Sequence, residues 1–229
     1  MIKDVARRLG PLRDRVAFLG GAATVLLITD PAAPEVRPTK DVDVIAEITS
    51  RIEYYRLEET LRELGFVQDV AEEGPICRWS VGGLLVDVMP TDEKILGFSN
   101  RWYRAAIRES VCVDLEPGLT IRLVSAPYFV ATKIEAFRGR GKGDFASSRD
   151  LEDLVSVLDG RAEITAEIQE SSEDLVAFLA EAFRIFLQDR AFMESIAGHL
   201  PPDEASQARV PLVLERMRAL ANVPCREKA

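Results

Sequence analysis

The first half of the chain carries apolar bursts of strand length, set apart by glycine, proline and charged residues. In the second half the apolar residues recur at helical spacing. Residues 16–19, Val-Ala-Phe-Leu, read as a short buried strand, and Gly20-Gly21 then opens an apolar helix over about 22–28. A polar loop bearing Pro31, Pro34 and Pro38 leads to a strand over 41–46. Ser50 followed by Glu53 is a capping-box pattern, and Gly65 ends the helix it opens. Residues 76–81 and 84–89 flank Gly82-Gly83, and residues 111–115 and 120–124 flank Glu116-Pro117-Gly118. Both are hairpin signals.

From Ser125 the pattern turns helical. Ser125 caps a helix with Pro127 in its first turn, running to about Phe137, where Arg138-Gly139-Arg140-Gly141-Lys142-Gly143 breaks it. Further helices are expected over about 148–158, 172–188 and 204–221. In the second of these Leu175, Phe178, Leu179, Ala182, Phe183 and Phe186 form one apolar stripe, expected to be core or a lid over the first domain. The expected organisation is α+β: a mixed-sheet head with flanking helices over residues 1–125, then a helical C-terminal domain over 126–229.

Composition narrows the function classes. A chain of 229 residues with 47% hydrophobic content can bury a substantial core. The 29 basic and 38 acidic residues give a net charge of -9, which argues against a surface that binds nucleic acid as a whole. Cys77, Cys112 and Cys225 are odd in number and lack metal-ligand spacing, so the reduced cytoplasm fits best. The N-terminus does not read as a signal peptide, and no apolar run is long enough to span a membrane. His199, the only histidine, sits beside Pro201-Pro202 at an expected helix end, so a histidine-based nucleophilic mechanism is not indicated.

The chemistry concentrates in Thr39-Lys40-Asp41-Val42-Asp43-Val44. In a strand Asp41 and Asp43 share one face while Val42 and Val44 share the other. Asp87 is a third acid in the otherwise apolar run of residues 84–89; if the strands neighbour one another, three carboxylates converge. Like charges gathered in this way need a compensating cation. Hard oxygen ligands suit Mg²⁺ or Mn²⁺, which complete their shells with phosphate oxygens and water. Gly20 and Gly21 can bring backbone N–H groups close to a phosphate. Each piece alone has a plain structural reading: a turn, a tight strand-to-helix junction, an edge-strand charge. It is their order along the chain that points to a site for a metal-bound nucleoside triphosphate.

On these residues the chain resembles the nucleotidyltransferase superfamily typified by DNA polymerase β, and within it the minimal and AbiEii-type bacterial members, some of them toxins of toxin–antitoxin pairs. The specific motifs cover residues 18–89 and the likeness extends to about Leu158. The resemblance implies that Gly20 and Gly21 hold the triphosphate and that Asp41, Asp43 and Asp87 bind the metals, with Asp87 helping to activate the acceptor hydroxyl. It further implies that Lys133 contacts the triphosphate and that Asp150, in Arg149-Asp150-Leu151-Glu152-Asp153-Leu154, lies near the acceptor or orients a basic residue. Ala22 departs from the Ser or Thr that the family often has after the glycine, leaving backbone amides and the helix N-terminus to bind phosphate. Arg37, Thr39 and Lys40 lie beside the acids, and Arg138, Arg140 and Lys142 form a basic, glycine-punctuated run; these are candidate phosphate contacts. Trp79, Trp102 and Tyr103 read as packing residues.

The expected activity is transfer of a nucleoside monophosphate from an NTP to an acceptor: a tRNA 3′ end, a partner protein's side chain or a small hydroxylated molecule such as an aminoglycoside. The alternatives are a non-catalytic nucleotide-binding or antitoxin-like member of the same fold, and a helical interaction module carried on an α/β scaffold.

Overall fold

A computed structural model of the chain describes residues 1–69, 75–141 and 143–223, so Cys225 and Lys142 lie outside the described residues. The fold is α+β, and the chain divides into two compact units. The first comprises Met1–Ala23 and Arg37–Ser125; the second comprises Thr24–Val36 and Ala126–Ala229. Helix α1 (Ile2–Leu9) opens the first unit, which continues through β1 (Val16–Leu19) into α2 (Gly20–Leu27). After β2 (Asp41–Ala46) come α3 (Arg51–Glu63), β3 (Val67–Gln68), β4 (Arg78–Val81) and β5 (Leu84–Pro90). Two short helices, α4 (Glu93–Leu96) and α5 (Tyr103–Arg108), precede β6 (Val111–Glu116) and β7 (Leu119–Leu123).

Among the described residues the strands form one mixed seven-stranded sheet in the order β3-β4-β5-β2-β1-β7-β6. β1 is buried along its whole length, as a central strand of four apolar residues should be. It pairs antiparallel with β2, and β2 pairs parallel with β5. Burial alternates on β2: Val42 and Val44 are fully buried, while Asp41 and Asp43 are only partly so. The β4–β5 hairpin turns through Gly82 and Gly83, both at positive φ (56° and 81°), with Val81 opposite Leu84. The capping box at Ser50 forms as expected: its side chain accepts from the Glu53 N–H, and the Glu53 carboxylate accepts from the Ser50 N–H.

In the second unit α6 (Ala126–Arg140) and α7 (Arg149–Gly160) are followed by α8 (Ile164–Gln169), α9 (Glu173–Gln188), α10 (Arg190–Ser195), α11 (Glu204–Gln207) and α12 (Val210–Ala221). Two expectations are corrected here. The helix expected to break at Arg138 continues to Arg140, whose guanidinium is held by two hydrogen bonds to Asp150, and Gly139 costs the helix only modestly. The single helix expected over 204–221 is two, with Pro211 in the first turn of α12. The α9 stripe is core: Leu175, Leu179, Ala182 and Phe183 are fully buried. Phe186 stacks on Phe192 with ring centroids 4.5 Å apart, and Phe137 and Phe145 close the cluster.

Residues 24–36 join this unit through main-chain and ionic ties. The N–H groups of Thr29 and Asp30 both donate to the Gly160 carbonyl at 2.9 Å. Arg209 spans Asp159 and Asp30, donating to the Asp30 carboxylate at 2.6 Å. No described helix is long and apolar enough to cross a membrane.

His199 is buried, and its Nε2–H donates to the Phe145 carbonyl at 2.7 Å. Burial holds its pKa below the usual value, opposed by that hydrogen bond and by the charge of Glu152. A base with a depressed folded pKa binds fewer protons folded than unfolded. Stability therefore falls as the pH drops below about 6.5, the unfolded value, toward the folded one. Urea denaturation at pH 7.5 and 5.5 should show this loss, and His199→Gln should have a smaller pH dependence over that interval.

Candidate functional site

The site lies in the first unit, where sheet pairing gathers residues distant in sequence. In the parallel β2–β5 ladder Asp43 stands opposite Asp87, with Asp41 one pleat away opposite Leu85. Register partners share a sheet face, so Asp41, Asp43 and Asp87 all project from the same side. Asp87 is buried, and Asp41 and Asp43 are half-buried.

Gly20 closes one flank of the group. Its φ is +77°, a left-handed conformation that L side chains rarely adopt, and it begins α2 immediately after β1. A Cβ on Gly20 would lie 1.8 Å from Asp43 Oδ2, so the backbone here runs directly against that carboxylate. Gly21 is buried in the first turn of α2. Thr39 donates its hydroxyl hydrogen to the Asp41 carbonyl at 3.3 Å, bracing the entry to β2. Arg37 is half-buried and Lys40 exposed on the segment leading to that strand.

The fourth member of the cluster is Arg78, which sequence reasoning missed. Arg78 lies opposite Asp87 in the β4–β5 hairpin. Its Nε donates to Asp87 Oδ1, and its Nη2 donates to both Asp87 Oδ2 and Asp41 Oδ2, each at 2.8 Å. The Asp87 hydrogen bonds raise the Arg78 pKa against the opposing effect of burial, and the charges of Asp87 and Asp41 add to the rise. A usable signal was present: a two-residue turn at Gly82-Gly83 fixes the pairing of 81 with 84 and hence of 78 with 87. Cys77, next in the chain, is buried, and that burial together with the negative charge of Asp87 pushes its thiol up to about 12. A buried thiol with a raised pKa forms little of the reactive thiolate.

Three carboxylates on adjacent strands are the right donor chemistry for a hard divalent cation. Among the described residues, however, no group of three or more His, Cys, Asp or Glu is already disposed around a common point to hold a metal ion. Two of the three acids are instead engaged by Arg78.

The remaining predicted site residues belong to the second unit. Lys133 on α6 is buried and donates to Asp153 at 2.6 Å and Asp150 at 3.4 Å, both on α7. Arg140 grips Asp150 through two hydrogen bonds of 2.9 and 2.7 Å. Burial raises the Asp150 pKa, but the Arg140 hydrogen bond and the Lys133 charge outweigh it, leaving the carboxyl below its ordinary range. Asp153, fully buried, is the closer partner of Lys133 and had no assigned role in the sequence reading. Arg138 is exposed, its guanidinium 5.0 Å from the centre of the Phe178 ring.

Neither a protein-family model nor a curated protein matches this sequence. Among solved structures, the chain is similar to JHP933 from Helicobacter pylori, with 12% identity, a TM-score of 0.47 and coverage of 96% of this chain and 88% of that one. It is also similar to the "putative nucleotidyltransferase from H. pylori", with 11% identity, a TM-score of 0.46 and coverage of 96% and 91%.

Gly20→Ala should disturb the site more than the fold. Positive φ in a non-glycine residue costs about 1–3 kcal/mol, and the new methyl must displace the Asp43 carboxylate. The variant should unfold at lower denaturant concentration yet remain folded in its absence, and should lose any ligand-induced thermal shift that the parent protein shows with Mg²⁺ and NTP.

Proposed function

We propose that the protein is a metal-dependent nucleotidyltransferase. The observation that carries this reading is the register of β2 against β5, which sets Asp43 beside Asp87 with Asp41 on the same face and the bare backbone of Gly20 against Asp43. In this reading Asp41, Asp43 and Asp87 hold Mg²⁺ or Mn²⁺. The bound ion would supply Lewis-acid charge to the reacting phosphoryl group.

The chain's own residues would do the rest. Gly20 and Gly21 form a junction narrow enough for the triphosphate to approach backbone N–H groups at the start of α2, which favours anions even with Ala22 in place of a hydroxyl residue. Asp87 accepts the proton of the acceptor hydroxyl as its oxygen bonds to the α-phosphorus. The bond from that phosphorus to the bridging oxygen breaks, and pyrophosphate leaves. Catalysis on this scheme is mostly alignment and charge stabilisation. Arg37, Thr39 and Lys40 are the candidate phosphate contacts in the first unit, and Lys133, Arg138 and Arg140 are the candidates within the second. Lys133 and Arg140 already hold carboxylates, so each would have to share its charge with a phosphate.

The acceptor is a tRNA 3′ end, a protein side chain or a small hydroxylated molecule. The net charge of -9 favours a protein or a cationic small molecule over RNA. A second reading, a nucleotide-binding protein without transfer activity, is favoured by one observation: Arg78 already neutralises two of the three acids.

Incubating the protein with each of four labelled NTPs, Mg²⁺ and a cell extract separates these readings. Transfer of label to RNA, protein or a small molecule is expected, and Asp41→Ala combined with Asp43→Ala should abolish it, a drop of 100-fold or more on the order expected when charge stabilisation of the transition state is removed. NTP binding without transfer supports the second reading. Undiminished transfer by the double variant would sink the assignment.

A further inference from the structure

The nucleotidyl-transfer reading gives Arg78 no role, although its guanidinium is tied to two of the three acids. Three hydrogen bonds of 2.8 Å tie its guanidinium to Asp41 and Asp87, with Arg78 contributing from β4, Asp87 from β5 and Asp41 from β2. The Arg78 side chain is 19% exposed and that of Asp87 9%, so water screens this contact little. Both Asp87 oxygens and one Asp41 oxygen accept from the arginine, and those are lone pairs a cation would need. This agrees with the lack, among the described residues, of a three-ligand grouping ready for metal.

We propose that Arg78 is a built-in counter-ion for the acid site, holding Asp41 and Asp87 in place without metal and releasing them when a divalent cation binds. The inference rests on the reading of Asp41, Asp43 and Asp87 as cation ligands. The guanidinium offsets the mutual repulsion of Asp41 and Asp87 in the metal-free protein. Divalent charge arriving on the same oxygens competes directly with the guanidinium. Arg78 therefore sets the metal affinity below what the acids alone would reach, and it is a positioning residue: it acts through the carboxylates. A simple structural brace has the opposite signature, since its removal loosens the ligands and weakens metal binding.

Mn²⁺ binding to the protein, followed by the loss of the free-ion electron paramagnetic resonance signal, distinguishes the two. Arg78→Gln should bind Mn²⁺ about tenfold or more tightly than the parent, the scale of losing charge-assisted hydrogen bonds that compete with the ion. In chelator the same variant should melt at lower temperature and recover with Mn²⁺. Arg78→Lys, which keeps the charge but gives up the fork of parallel hydrogen bonds, should fall between the two; it decides the matter alone if Arg78→Gln does not fold. Unchanged or weaker Mn²⁺ binding in the folded variants overturns the counter-ion role and leaves the acid site standing. Failure of both the parent and the variants to bind Mn²⁺ overturns the cation-site reading itself, and this inference with it.

Discussion

The pairing of β2 with β5 sets the central physical problem of the first unit: it places Asp43 beside Asp87, with Asp41 on the same face. Adjacent carboxylates at partly buried positions repel one another, and the fold must supply positive charge or keep the groups wet. It supplies Arg78, which the β4–β5 hairpin delivers opposite Asp87. The same crowding explains Gly20, whose backbone runs so close to Asp43 that no side chain fits. The apolar halves of these strands, Val42, Val44, Val86 and Val88, are buried and hold the polar face rigid. Precision at the charged positions is thus inherited from packing on the opposite face.

The second unit meets its own buried charges in a similar way. Lys133 and Asp153 are buried and paired, and Asp150 is shared between Lys133 and Arg140. Buried ions survive only when partnered, and breaking such a pair leaves the survivor in an environment that cannot solvate it. Asp159 and Arg209 form another such pair, extended to Asp30. The first network ties α6 to α7, and the second anchors residues 24–36 to the helices.

What could be read from the sequence was what depends on local pattern. The alternation in 41–46 gave both the strand and the shared face of its acids, and the Ser50–Glu53 pair marked a helix start that the structure repeats atom for atom. Gly82-Gly83 marked the hairpin. Arg78 escaped because its role depends on carrying the hairpin register three residues back from the turn, and on β2 lying beside β5, which a local pattern does not specify. The attachment of residues 24–36 to the helical unit escaped for the same reason: Asp30 meets Arg209 across most of the chain. At Arg138 local and tertiary preferences conflicted. Glycine spacing suggested a loop, and the helix continues through exposed residues to Arg140, which Asp150 holds from α7.

If the three strand acids form a hard-cation site, Arg78 must give way when the ion binds. A crystal structure grown with Mn²⁺ and a non-hydrolysable NTP, with anomalous scattering recorded for manganese, tests it most directly. The expected result is an anomalous peak bounded by Asp41, Asp43 and Asp87, triphosphate density near Gly20 and Gly21, and the Arg78 guanidinium moved off at least one of its two carboxylates. Absence of manganese from these acids, with Arg78 still joining Asp41 to Asp87, would contradict it.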